Sequence, residues 1–183
     1  MKKNDAGFTL IELAFVAGIT LVVASVALIQ LGPTRAILAA QSVSNLVASQ
    51  MNYARQVAID ERRNVLIEFK NGNEIKVTRL ESGGTSTVLS DVYLSSGYHY
   101  GLPSGTPPDT AEHFGVASAV SFNGAAGGTY LGDGTFIDNA GVVMNGTVYT
   151  IGSGDSSARA VTLTGATGRV IQYIYVGGAW KQT

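Results

Sequence analysis

From Phe8 to Leu31 the sequence reads FTLIELAFVAGITLVVASVALIQL, an apolar run carrying a single charge, Glu12. As a helix it would reach roughly 36 Å at about 1.5 Å per residue, longer than the about 30 Å hydrocarbon core of a bilayer. Lys2 and Lys3 precede it, and a basic flank stays on the cytoplasmic side. The run is therefore expected to span a membrane once and to leave the rest of the chain on the far side. A secretory signal has a shorter apolar stretch, followed by a small-residue cleavage site; here the stretch is longer and a Gly comes before it. A plain anchor leaves Glu12 unexplained, because a carboxylate deep in a span costs about 2.5–3.5 kcal/mol and such residues have functional partners.

The residues Gly7-Phe8-Thr9-Leu10-Ile11-Glu12, behind a basic leader and before a long apolar helix, resemble the type III signal of type IV pilins and type II secretion pseudopilins. The resemblance implies that residues 1–7 are a leader, cleaved between Gly7 and Phe8 by a prepilin peptidase, with methylation of the new amino terminus at Phe8. It implies that residues 8–31 form a transmembrane and filament-core helix, and that Glu12 serves assembly. The partners implied are other pilins or pseudopilins, the peptidase and the bacterial inner membrane, with the C-terminal domain extracytoplasmic. The physics is compatible. Cleavage frees an amine one helical turn from Glu12, and in a filament core that carboxylate can meet a neighbour's amino terminus. Two buried opposite charges compensate each other, whereas either alone is strongly unfavourable, so such a pair acts as a register device.

Gly32-Pro33 is expected to kink or interrupt the helix, since Pro lacks an N–H and clashes with the carbonyl one turn back. The helical pattern resumes over 34–63. Val43, Leu46, Val47, Met51, Ala54, Val57 and Ala58 fall on one face at spacings of three and four, an amphipathic half-helix that should pack on a sheet. After Arg63 the period becomes two. Val65, Ile67 and Phe69 alternate with polar or outward positions, Asn71-Gly72-Asn73 is a turn signal, and a hairpin is expected over 64–80. Thr87–Leu94 reads as a third strand, and Gly97–Gly115 as a long loop. Short strands are expected at Val120–Phe122, Thr135–Ile137, Val142–Met144 and Thr147–Ile151, with Gly152–Ser157 a turn or flexible tip. The last hairpin pairs Ala160–Thr164 with Val170–Val176 through a turn at Gly165–Gly168. The fold class is α+β: a long N-terminal helix packed on an antiparallel β-rich body, with a globular domain over 34–183 whose β portion is 64–183.

A long helix followed by many short strands resembles the GspH/FimT minor pseudopilins. Val161-Thr162-Leu163-Thr164-Gly165-Ala166-Thr167-Gly168-Arg169-Val170 is similar to their closing strand, Gly turn, Gly-Arg and final strand. The resemblance implies a minor structural subunit of a type II secretion pseudopilus or a type IV pilus. Its alternative is a FimT-like pilin that captures DNA during natural transformation through a Gly-Arg-x-Arg motif. Here Ile171 stands where the second Arg would be, leaving Arg169 as the candidate DNA contact, and weak or no DNA binding is expected.

No enzymatic constellation is legible. The chain has no Cys, so thiolate metal sites and disulfides are excluded. His99 and His113 are its only histidines, and neither has a metal-ligand spacing. No Gly-x-Ser-x-Gly elbow is present, and the glycines of 124–134 lack the Lys and Ser/Thr of a phosphate loop. Asp133, Asp138 and Asp155 have calcium-ligand chemistry but no EF-hand pattern, and read as turn aspartates. A net charge of -1 gives no general pull toward nucleic acid. The tyrosines and Trp180 are either half-buried sheet residues or a partner-facing surface. No metal and no cofactor is expected.

Overall fold

The computed structural model describes residues 9–183, the side chains of 26–34 excepted. The leader, Gly7 and Phe8 thus lie outside the described residues. One helix, α1 (Leu10–Glu61), is followed by eleven strands. The backbone divides into two compact units, one ending at Ala36 and the other running Ile37–Thr183. The expected interruption at Gly32-Pro33 is absent, since the helix runs through both residues. Proline removes one N–H donor from the ladder, and the remaining bonds on either side carry the helix across, because propagation is far easier than nucleation.

In the second unit α1 behaves as its periodicity predicts. Val43, Val47, Ala48, Met51, Ala54 and Ala58 are buried in the main core, with Leu46 and Val57 packed against its margin. Strands β1 (Val65–Lys70) and β2 (Glu74–Leu80) form the expected hairpin. Its turn places both Asn71 and Gly72 at positive φ, 51° and 77°, the conformation for which Asn and Gly are favoured. Strand β3 (Ser86–Tyr93) adds an edge, with a register shift against β2 between Val77 and Thr78.

Strands β4 (His99–Tyr100), β5 (Val120–Ser121), β6 (Gly127–Tyr130) and β7 (Phe136–Ile137) are short. β8 (Gly146–Gly152), β9 (Gly154–Thr164), β10 (Arg169–Val176) and β11 (Ala179–Gln182) form the C-terminal meander. All pairings are antiparallel. One sheet has the order β3-β2-β1-β6-β7, and the other β11-β10-β9-β8-β4, with β5 also on β8. Both sheets feed one core: Val65, Ile67 and Phe69 of the first meet Val148, Val161 and Leu163 of the second against the helix stripe. Phe69, Phe122, Phe136 and Tyr130 pack in sequence, with ring centroids 5.7, 5.4 and 4.7 Å apart.

Two expectations are corrected, and one strand lies where none was expected: the glycine-rich stretch contains β6, paired with β1. A Cβ on Gly127 would collide with the Ile67 carbonyl, and one on Gly128 with Met144 and the Ile137 carbonyl, so these glycines serve close strand approach rather than loop freedom. The segment Gly152–Ser157 is not a free tip, because β9 begins at Gly154 and Ser157 is buried. Val142–Met144 supplies only an isolated bridge, Val143 to Ile137.

The stretch Gly97–Gly115, expected to be a long loop, contains β4 at His99–Tyr100, paired with β8, and the segment after it, 101–116, has a structural task. It covers the outer face of the second sheet, where Tyr149, Ala160, Ile171 and Tyr173 form a smaller core with Leu102, Val116 and Trp180. The Tyr149 hydroxyl donates to Gly115 O (3.2 Å), the Tyr173 hydroxyl to Glu112 (2.5 Å) and Trp180 Nε1 to Pro108 O (2.9 Å). Tyr149, Tyr173 and Trp180 therefore brace the loop rather than form an open surface.

Candidate functional site

Residues 10–25 form an apolar helix without a stripe. Leu10, Ile11, Leu13, Phe15, Val16, Ile19, Leu21, Val22 and Val23 are all more than half exposed. At 100° per residue they point in every direction, and a helix apolar all round requires an apolar surrounding. Its hydroxyls are compatible with one. Thr20 Oγ1 donates to the carbonyls of Val16 (3.0 Å) and Ala17 (2.9 Å), and Ser25 Oγ to Val22 (2.7 Å). Each polar group is thus satisfied by the helix itself, the condition for burial in lipid or among other helices. Among the described residues no helix is long and apolar enough to cross a membrane. The expected span, 8–31, extends at both ends beyond the described side chains.

Glu12 sits at the helix start with a partner that the sequence reading did not assign. Thr9 N–H and Thr9 Oγ1 each donate to Glu12 Oε2 (both 3.4 Å), and Glu12 N–H donates back to Thr9 Oγ1 (3.3 Å). This is a capping box, with Thr at the cap and Glu three residues on. The signal was present in the spacing Thr9-x-x-Glu12. The contacts are long and exposed, so the carboxylate remains available to a stronger partner: a cation satisfies it better than two weak neutral donors.

Arg169 opens β10 and is exposed, its backbone paired with Thr164. The glycine before it has its own cause. Gly168 lies at φ 64° against the side chain of Arg55, whose Nε also donates to Gly134 O (3.3 Å). Arg55 lies off the apolar stripe of α1, and nothing in its sequence neighbourhood announces this bracing role. Three other basic groups are occupied or enclosed. Arg79 pairs with Glu61 (2.5 Å) and Glu81 (2.7 Å), Lys70 pairs with Glu68 (2.7 Å), and Arg159 is buried.

His99 and His113 are exposed. Asp133 accepts from Thr135 N–H, Asp138 from Ala140 and Val142 N–H, and Asp155 from Ser104 N–H. Asp133 and Asp138 thus cap their own turns and Asp155 ties β9 to the distant Ser104, and the bond from Thr135 holds the Asp133 carboxyl below its ordinary pKa. Among the described residues no group of three or more His, Asp or Glu is placed to hold a metal.

Residues 2–28 match the family model described as the prokaryotic N-terminal methylation motif. The fold is similar to that of the type IV minor pilin FimU of Pseudomonas aeruginosa, at 14% identity and TM-score 0.50, covering 78% of this chain and 92% of that one. The chain thus pairs that motif with the fold of a minor pilin. A second similar structure is the minor pseudopilin EpsH of the type 2 secretion system of Vibrio cholerae, at 13% identity and TM-score 0.48, covering 72% of this chain and 94% of that one. No curated protein matches the sequence. The methylation motif ends within the apolar segment of α1, and the α+β body has the pilin fold.

Proposed function

We propose that this pilin-like chain is a minor structural subunit, of the GspH/FimT kind, in a type IV pilus or a type II secretion pseudopilus of the bacterial inner membrane. Prepilin peptidase cleaves it between Gly7 and Phe8, and Phe8 is N-methylated. Residues 8–31 hold it in the membrane before assembly and lie among the helices of other subunits afterwards. Glu12 leaves its weak cap on Thr9 and pairs with the amino terminus of a neighbour. The observation that carries this reading is the helix apolar on every side, with its hydroxyls internally satisfied and one carboxylate in its first turn. The chain performs no catalysis in this role.

DNA capture has less support. Arg169 is exposed, but no second arginine follows at 171, Arg79 and Lys70 are ion-paired, and Arg159 is enclosed. Phosphate affinity grows with the number of cations free to neutralise phosphates. A gel-shift titration with duplex DNA at about 150 mM salt should show weak binding or none, unchanged by Arg169→Ala.

The deciding experiment compares wild type with Glu12→Ala in the native host. Intact mass of the wild-type membrane protein should begin at a methylated Phe8. The variant should stay in the membrane, since the span becomes more apolar, and should be depleted in sheared filaments. Equal incorporation of the variant would falsify the role given to Glu12, and an unprocessed chain in a host with the peptidase would remove the subunit reading.

A further inference from the structure

A cleft of about 460 Å³ opens in the second unit between Ile37 and the ends of β9 and β10. Its walls include Ile37, Ile174 and Val176, and Asp155, Ser156 and Arg159 contribute its polar side. The size is that of a small-ligand site, about 300–1,000 Å³.

Arg159 is the unusual member. It lies on β9, on the same face as the core residues Val161 and Leu163, and is only 3% exposed. One of its terminal nitrogens donates to the Ser156 carbonyl (3.0 Å) and the Ala158 carbonyl (2.8 Å). Its Nε is buried with no partner, and so is the hydroxyl of Thr150, which is its cross-strand neighbour on β8. Among the described residues no carboxylate forms an ion pair with it. Asp155 lines the same cleft, but accepts from Ser104 N–H (2.9 Å).

A guanidinium stays charged at any physiological pH, and burying it without a counter-ion is costly. Burial accordingly pushes its pKa down. Two carbonyl bonds do not supply the missing charge. The Nε–H and the neighbouring Thr150 hydroxyl are two buried donors without an acceptor, and the Arg159 side chain lines the cleft.

We propose that this cleft binds a carboxylate carried on a short apolar group, with Arg159 as its counter-ion and Ile37, Ile174 and Val176 around its apolar part. The carboxylate comes either from a free small acid or from an acidic side chain of another filament subunit. The second source alone rests on the proposed assembly role, and the first is independent of it.

The test is equilibrium dialysis of radiolabelled pentanoate against the detergent-purified full chain and against sheared filaments. One saturable site per chain with millimolar affinity is expected, not displaced by the neutral isostere pentanamide, abolished by Arg159→Met and weakened at least about tenfold by Arg159→Lys, because lysine loses the planar fork. Circular dichroism checks the fold, and if Arg159→Met does not fold, Arg159→Lys carries the comparison. Binding to the purified chain but not to filaments assigns the site to a neighbouring subunit's carboxylate, and binding to both assigns it to a free acid. No saturable binding to the purified chain, binding indifferent to both variants, or equal competition by pentanamide would overturn the proposal.

Discussion

Residues 10–25 and 37–61 belong to one helix and are both rich in apolar side chains, yet they dispose of them in opposite ways. In the later stretch Val43, Val47, Met51, Ala54 and Ala58 are at most 1% exposed, and the positions between them face out. In the earlier stretch every large apolar side chain named above is exposed, whatever its angle. A stripe announces a partner on one side, and here the partner is the pair of sheets in the same chain. An all-round apolar surface announces a surrounding, and the chain contains none among its described residues. The first stretch is built for other molecules, the second for its own.

The sharpest way to break this contrast is to place a carboxylate in each stretch. Met51→Asp puts an unpaired charge among Val47, Ile67 and their neighbours and should cost about 4–5 kcal/mol, enough to unfold the body. Ile19→Asp should leave the thermal transition of the body unchanged and instead deplete the protein from the membrane fraction, at an insertion cost of about 2.5–3.5 kcal/mol. Thermal circular dichroism of the purified full chain, with membrane fractionation alongside, checks both. Equal loss of the thermal midpoint in the two variants would mean that the contrast is wrong.

The same contrast explains what the sequence disclosed. Both helical stretches, the first hairpin and the last one were legible because apolar periodicity records which side faces a core. The strand at 127–130 was not legible, because a strand squeezed between neighbours and a flexible loop both call for a missing side chain. Seven successive buried residues from Ser157 to Leu163 carry no alternation, since both faces of β9 are covered, one by the helix-side core and one by segment 101–116. That covering loop has no period of its own. Glu12 stands out from motif and charge, its cap on Thr9 from the spacing alone, whereas the lack of a carboxylate partner for the buried Arg159 appears only when distant segments are assembled.

A second test concerns how the buried stretch is locked. Gly168→Ala forces a side chain into the left-handed region and against Arg55. It should cost about 1–2 kcal/mol from the backbone alone, with some further loss if Arg55 releases Gly134 O. Urea unfolding of the full chain measures it. A neutral result would mean that Arg55 moves aside freely and that the helix is not anchored at this turn.

The end of the buried stretch offers a change in the opposite direction. Arg62 N–H bonds to Ile59 O (3.4 Å) and Arg63 N–H to Ala58 O (3.2 Å), with Arg62 at φ 50°. This is a Schellman ending in which an arginine occupies the position that glycine prefers. Arg62→Gly relieves the strain, partly offset by greater freedom of the unfolded chain, and should add about 0.5–1 kcal/mol. A rise of a few degrees in the thermal midpoint is expected. A fall would show that the Arg62 side chain contributes more than its backbone costs.

The smallest effect is expected where the last turn of α1 meets β2 at the surface. Arg79 bridges Glu61 and Glu81, and its hydrogen bond is the first cause that holds the Glu81 carboxyl below its ordinary value of 4.5. A depressed carboxylate pKa contributes stability that is present above the unfolded value and lost as pH falls through the folded one. Arg79→Met should therefore lower the urea midpoint slightly near neutral pH and low salt, and wild type and variant should converge once the medium is acid enough to protonate Glu81. They should converge also at about 1 M salt, where the screening length falls to about 3 Å, because exposed ion pairs contribute little and are screened. A difference that persists in acid and in salt would mean that Arg79 acts through the packing of its aliphatic stem, and the end of the helix would then be held to β2 by apolar contact, as the rest of the buried stretch is held to the sheets.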